Sequence, residues 1–220
     1  MTDQLLPDRE NSSASYHSGV VAIIGPPNAG KSTLLNHFLG QKIAIVSPKP
    51  QTTRNRILGI LSGESYQIIL LDTPGLHRPR ELLNREMVRV ALDTLAEADV
   101  VLFLVDASDD QPEMLEKLAP EFSGYLREVS CPVVLALNKV DKMDKARLLP
   151  LMQWYNALHP FASVVPISAL HGEGAMRLVE ELVRLLPEGP QYYPDDLPTD
   201  ATERFIAAEI IREKVFLSCG

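Results

Sequence analysis

Five stretches of this chain are apolar at nearly every position instead of every second one: "VVAII" (20–24), "QIILL" (67–71), "VVLFLV" (100–105), "VVLAL" (133–137) and "VVPI" (164–167). A strand with water on one face alternates apolar and polar residues. A strand covered on both faces need not, and a parallel sheet is the usual place to find one. Between these runs lie stretches with helical spacing, at 32–39, 82–98, 113–128, 145–158 and 175–186. In 82–98 the stripe is Leu83, Met87, Val90, Ala91 and Leu95; in 175–186 it is Met176, Val179, Leu182, Val183 and Leu186, which predicts those five as the buried face. Strands alternating with helices imply an α/β fold: a mostly parallel sheet with helices on both faces. "RILGIL" (56–61) is expected as an added edge strand paired with 66–71.

The remainder is punctuation. Residues 1–18 are polar and mixed in charge, and read as a flexible tail before a domain at 19–187. "LPEGPQYYPDDLPTD" (186–200) carries four prolines, so 188–200 reads as a linker. Residues 201–220 then begin a separate amphipathic helix with Phe205, Ala208, Ile211 and Val215 in step. The net charge of -8 makes the chain a poor nonspecific nucleic-acid binder and speaks against DNA as a partner. The two cysteines, Cys131 and Cys219, lack metal-ligand spacing and suit a reducing compartment. Cys131, just before a strand, is expected to be buried and inert. No apolar run approaches the roughly 20 residues of a membrane helix.

Every chemically suggestive stretch follows one of the apolar runs, at the strand ends where open α/β sheets bind ligands. "GPPNAGKST" (25–33) fits G-x-x-x-x-G-K-[ST], a phosphate-binding loop. Gly25 and Gly30 allow close backbone approach, and Pro26, Pro27, Asn28 and Ala29 complete a turn whose N–H groups wrap a phosphate. Lys31 reaches the β- and γ-phosphates, Ser32 offers a hydroxyl to Mg²⁺, and Thr33 continues into a helix whose N-terminus favours anions. This loop alone does not separate ATP from GTP. "DTPG" (72–75) supplies Asp72, a carboxylate for the Mg²⁺ shell, then Thr73, Pro74 and Gly75, whose N–H can meet a γ-phosphate. "NKVD" (138–141) decides the base. Asp141 can accept from guanine N1–H and N2–H₂ together. Asn138 serves N7 and the surrounding loops, the Lys139 stem lies over the ring, and Val140 spaces them. In "SAL" (168–170), Ser168 and Leu170 flank Ala169, whose N–H is expected to donate to O6. Adenine would leave Asp141 unpaired and set its amino group against that N–H, which a buried site rejects strongly.

The order GxxxxGKS, DTPG, NKxD, SA resembles that of the translation-factor-like GTPases. "QTTRNR" (51–56), at the place of their switch I, "DTPGLH" (72–77) and "TDATERFIAAEIIREK" (199–214) narrow the resemblance to the Era family, from about Gly19 onward. The resemblance implies a P-loop GTPase fold and a slow GTP-to-GDP switch. It further implies 16S rRNA and the small ribosomal subunit as partners, and a cytoplasmic location with peripheral association at the inner membrane. It assigns Mg²⁺ to Ser32, Thr53 and Asp72, and catalysis to Lys31, Thr53, Gly75 and Asn28. Leu76 stands where many such enzymes carry a water-orienting Gln. Asn28 in related GTPases holds K⁺; here it either does so or caps the loop. His77, beside Leu76, either orients the attacking water or is an exposed loop residue, and His17, His37, His159 and His171 are expected to be surface or packing residues. Lys42, Lys49, Arg54 and Arg56 form a basic cluster around switch I, and Trp154 and Tyr155 are expected to pack a helix on the sheet. The helix at 201–220 resembles the first of an RNA-binding KH domain, of which the chain shows no GXXG loop. The chain is therefore expected to end inside that domain, to bind rRNA weakly, and to leave its last helix poorly ordered or packed on a neighbour or on the GTPase domain. A GTP-sensing ribosome-docking module with negligible turnover and an ATP-dependent kinase are the competing readings, the second opposed by "NKVD".

Overall fold

The structure is a computed structural model and describes residues 15–46, 57–72, 96–108, 126 and 129–218. The stretches expected to be helical at 82–98 and 113–128 lie almost wholly outside them. Each apolar run is a strand of one six-stranded sheet: β1 (His17–Ile24), β3 (Tyr66–Asp72), β4 (Val100–Asp106), β5 (Val133–Asn138) and β6 (Ser163–Pro166), with β2 (Ile57–Gly63) as the added edge. The order across the sheet is β2-β3-β1-β4-β5-β6. Only β2 runs antiparallel, against β3. The others are parallel, β1 lying between β3 and β4. Chain order reverses beside β1, so its carboxyl end is where a ligand crevice forms.

The unbroken apolar runs have a direct cause. Val21 and Ile23 face one core with Ile68, Leu70, Leu102 and Leu104, beneath α1 (Lys31–Leu39) and α3 (Ala175–Leu185). Ala22 and Ile24 face a second core with Val101, Phe103, Leu135 and Leu137, beneath α2 (Leu148–Leu158). Tyr155 of α2 is buried and meets a partly buried Trp154 edge-on, with ring centroids 5.0 Å apart. Cys131, two residues before β5, is half-buried against the second core, not fully buried as expected.

Two expectations need correcting. In α3 the buried residues are Ala175, Leu178, Val179 and Leu182, and Met176 is 67% exposed. Val179, Leu182 and Leu186 are buried as expected and Val183 is partly buried against the first core, so of the five only Met176 departs, its place taken by Ala175 at a helix start that follows Gly172 and Gly174, both at positive φ. The proline-rich segment is no free spacer either. Ser18 donates to the Pro190 carbonyl at 2.7 Å, and Thr199 Oγ1 donates to the Leu58 carbonyl at 2.5 Å. The buried Gln67 carboxamide accepts from Tyr192 N and Tyr193 N at 2.8 and 2.9 Å and donates to Tyr193 O at 2.8 Å. A buried amide with its partners satisfied is a strong positional anchor, and here it fixes the segment across β1–β3.

The last helix, α4 (Glu203–Ser218), packs on the sheet domain, one of the outcomes expected for it. Most of its stripe does not. Phe205 touches the first core, but Ile211 and Val215 are 64% and 51% exposed. The inward residues are Glu209 and Glu213. Glu213, 2% exposed, accepts from Val46 N at 3.2 Å and pairs with Lys42 at 2.5 Å. That places Lys42, one of the cluster around switch I, against the end of the chain. Lys49, Arg54 and Arg56 lie outside the described residues.

Candidate functional site

The phosphate loop leaves β1 at Gly25, whose φ of 149° admits only glycine comfortably; a Cβ there would sit 2.0 Å from the Leu104 carbonyl oxygen. Asn28 is left-handed at φ 61°, and Gly30 at φ 102° starts α1. A Cβ on Gly30 would lie 2.2 Å from Asn138 Nδ2, so the Asn138 side chain packs directly on the loop backbone. Asparagine tolerates the left-handed region better than most residues, which accounts for Asn28 on local grounds.

Lys31 follows, 7% exposed, donating to the carbonyls of Gly25 at 3.1 Å and Pro26 at 3.0 Å. Burial pushes its pKa down to about 8, the Asp72 charge acting the other way. Ser32 Oγ donates to Asp72 Oδ2 at 2.7 Å, so α1 and the end of β3 present a hydroxyl and a carboxylate side by side. An all-oxygen pair of this kind fits a hard cation such as Mg²⁺. Among the described residues there is no cluster of three or more His, Cys, Asp or Glu that could hold a metal by itself.

At the other end, Asn138 closes β5. Its Nδ2 donates to Ala29 O at 2.7 Å and its Oδ1 accepts from Ala169 N at 2.9 Å. One buried carboxamide therefore ties the phosphate loop to the loop after β6. The Ala169 N–H, expected to donate to a base oxygen, is engaged here by Asn138. Lys139 is left-handed at φ 65°, and Val140 N donates to Ile167 O at 3.2 Å. The chain thus turns through Val140–Lys142 and brings Asp141 to a cleft of about 160 Å³ bounded by Gly30, Asn138, Lys139, Ala169 and Leu170, with Thr33 on the side of α1. A hydrogen bond from Ser168 holds the Asp141 carboxyl below the usual carboxylate range, and His171 adds to this from 3.7 Å. Asp141 is thus anionic at neutral pH and poised to accept from paired donors on a planar ring.

The structure gathers Gly25 through Thr33, Asp72, Asn138 through Asp141 and Ser168 through Leu170 at one edge of the sheet. Thr53, Thr73, Pro74, Gly75, Leu76 and His77 lie outside the described residues. Three contributors escaped the sequence reading. Asp106, the last residue of β4, binds Lys139. His171, expected to be only surface or packing, sits beside Asp141. Asn36 of α1 accepts from Ile43 N and Ala44 N, each at 2.9 Å, and donates to Ala44 O at 2.8 Å, fixing the chain beyond the helix. A polar residue ending a buried strand, as Asp72 and Asn138 do, was the signal available for Asp106. For Asn36 and His171 no local pattern existed.

Comparison with known proteins agrees with this geometry. Residues 20–139 match a family model described as 50S ribosome-binding GTPase. GTPase Era of Geotalea daltonii is 54% identical over 201 residues, covering 91% of this chain and 66% of that protein. GTPase Era of Syntrophus aciditrophicus is 51% identical over 214 residues, covering 96% and 68%. The chain spans about two thirds of the length of these relatives. Among solved structures, an Aquifex aeolicus Era variant bound to GDP and aluminium fluoride superposes with a TM-score of 0.83 at 42% identity, covering 91% of this chain and 67% of that one. An Era in complex with MgGDPNP and nucleotides 1506–1542 of 16S ribosomal RNA gives 0.81 at 41% identity, with the same coverage.

Proposed function

The chain belongs to the Era family of GTPases, and from that premise we propose that it binds GTP and GDP and hydrolyses GTP to GDP and phosphate as a two-state switch in small-subunit assembly. The observation that carries this reading is the Asn138 carboxamide. It joins the loop built for phosphates to the loop beside Asp141, so one ligand must satisfy both ends. An anionic Asp141 asks for two adjacent donors, which guanine has and adenine lacks.

Phosphoryl transfer to water depends on positioning and charge neutralisation. Lys31 would exchange its two loop carbonyls for β- and γ-phosphate oxygens. Ser32 and Asp72 would hold Mg²⁺, with Thr53 completing the set, and the ion would supply positive charge beside the phosphates. Gly75 N–H would meet the γ-phosphate. Leu76 cannot hydrogen-bond a water, so unassisted hydrolysis would be slow. Asn28 would hold K⁺, whose charge would stabilise the transferring phosphoryl group. If so, hydrolysis should be faster in KCl than in NaCl at equal ionic strength, and Asn28→Ala should erase the difference; equal wild-type rates would remove K⁺ from the mechanism.

The rRNA-bound Era neighbour supports 16S rRNA and the small ribosomal subunit as partners. With a net charge of -8 this chain should bind that RNA weakly at physiological salt, which a gel-shift assay would check. A cytoplasmic site of action follows from the same reading, with peripheral contact at the inner membrane. Among the described residues no helix is long and apolar enough to cross a membrane. The decisive experiment is Asp141→Asn. It should lose GTP and gain xanthosine triphosphate, whose C2 carbonyl suits an amide donor. Unchanged GTP affinity in calorimetry would overturn the assignment of guanine.

A further inference from the structure

Lys139 is tethered at both ends. Its backbone sits in the left-handed region at φ 65°, a conformation a lysine adopts only when its surroundings impose it. Asn138 on one side and the bond from Val140 N to Ile167 O on the other hold it there. At the far end of the side chain, the ammonium binds Asp106 Oδ2. Asp106 is itself fixed. It lies in register beside Asn138 across β4 and β5, and its Oδ1 accepts from Ser108 N at 3.0 Å and Ser108 Oγ at 2.6 Å. Ala107 N donates to Asn138 O at 2.7 Å, so the chain leaving β4 cannot drift from the end of β5. The four-carbon stem therefore spans from one strand end to the next along the wall of the cleft that Asp141 and Ala169 also line.

We propose that Asp106 is a positioning residue for the nucleobase: by gripping the Lys139 ammonium it holds the lysine stem as an apolar wall against the ring face. The proposal rests on the guanine reading above. Asp106 acts only through Lys139, and Asp141 alone reads the edge of the base. Two consequences separate this role from general support of the fold. Loss of the grip should speed nucleotide release without altering which base is preferred. The effects of Asp106 and Lys139 should also fail to add, because they are one device.

The test is the dissociation rate of ribose-labelled fluorescent GDP from the wild-type chain, Asp106→Asn, Lys139→Met and the double variant. Asp106→Asn keeps an oxygen for Ser108 and removes only the charge. Because the pair is partly exposed, release should accelerate by about three- to tenfold. Lys139→Met should do about the same, and the double variant no more than either. Asp106→Glu should recover most of the wild-type rate. The ratio of GDP to xanthosine diphosphate affinity should stay at its wild-type value in Asp106→Asn. Unchanged release from Asp106→Asn, or an effect that adds in full to Lys139→Met, would overturn the role of Asp106. A wild-type chain that held ADP as well as GDP would overturn the guanine reading instead.

Discussion

The two ends of the nucleotide cleft are built on different plans. At the base end the polar groups are bound to one another in ways a ligand can leave alone: Asn138 to Ala29 and Ala169, Ser168 to Asp141, Lys139 to Asp106. At the phosphate end the same kind of groups are bound to partners that a ligand must displace. Lys31 donates to the carbonyls of its own loop, and Ser32 to Asp72. The base end is a preorganised reader. On the proposed reading, the phosphate end holds its charges in pairs with which phosphate and metal would exchange. Recognition should therefore be nearly rigid at one end and coupled to rearrangement at the other.

The largest effect should come from breaking the reader at its hub. Asn138→Ala leaves Ala29 O and Ala169 N–H buried without their partner, at about 1–3 kcal/mol each. Guanine-nucleotide affinity measured by calorimetry should fall on the order of a hundredfold. A loss under tenfold would mean that the two loops hold their places unaided. Gly30→Ala attacks the joint between the ends. The added methyl meets Asn138 Nδ2 at 2.2 Å with φ at 102°, so affinity should fall about tenfold or more, GTP and GDP alike.

Lys31 tests the displaceable end by its proton. In the free protein its pKa is about 8, so between pH 8 and 10.5 the unfolded chain holds more protons than the folded one. Folding stability from this group therefore rises with pH across that window. A bound phosphate restores the charged form, so GDP binding near pH 8 should take up a fraction of a proton. Titrations in buffers of different ionisation enthalpy should detect the uptake, and Lys31→Met should abolish it. Zero uptake in the wild-type chain would mean that Lys31 is already fully charged. The smallest effect belongs to Ser32→Ala. Without Mg²⁺ it should change GDP release by no more than about threefold, since it removes a bond internal to the site. With Mg²⁺ present the variant should lose the slowing of release seen in the wild type.

Much of this was legible in the chain. Runs such as "VVLFLV" announced strands buried on both faces, and the strand ends carried the site residues. The motifs named residues that the structure gathers at one edge of the sheet, because their spacing is a local property. What was not legible is long-range satisfaction of polar groups. Nothing near Gln67 or Glu213 hints that their partners lie 125 and 167 residues away. The last helix shows the cost of reading periodicity alone. Its apolar stripe was plain, yet the face it buries carries Glu209 and Glu213, because an ion pair and a backbone bond lie beneath it. Met176 was misplaced for a smaller reason, a helix start turned by two left-handed glycines. The Asn138 partner of the Ala169 N–H was not legible either, because a backbone N–H has no sequence of its own to betray its partner.

The clasp between Glu213 and Val46 also sets a clock. During synthesis Val46 is made 167 residues before Glu213. At about 5–20 residues per second that is a wait of roughly 8 to 30 s. Through that interval the stretch leading towards switch I is held by Asn36 and by the burial of Ile43 and Ala44 in the first core, while β1, α1 and the inner strands can already pair. The nucleotide pocket can therefore assemble around a ligand before its far anchor exists. A nascent chain stalled short of Glu213 should already retain GDP, and the last helix should arrive on a domain that is loaded before it is latched.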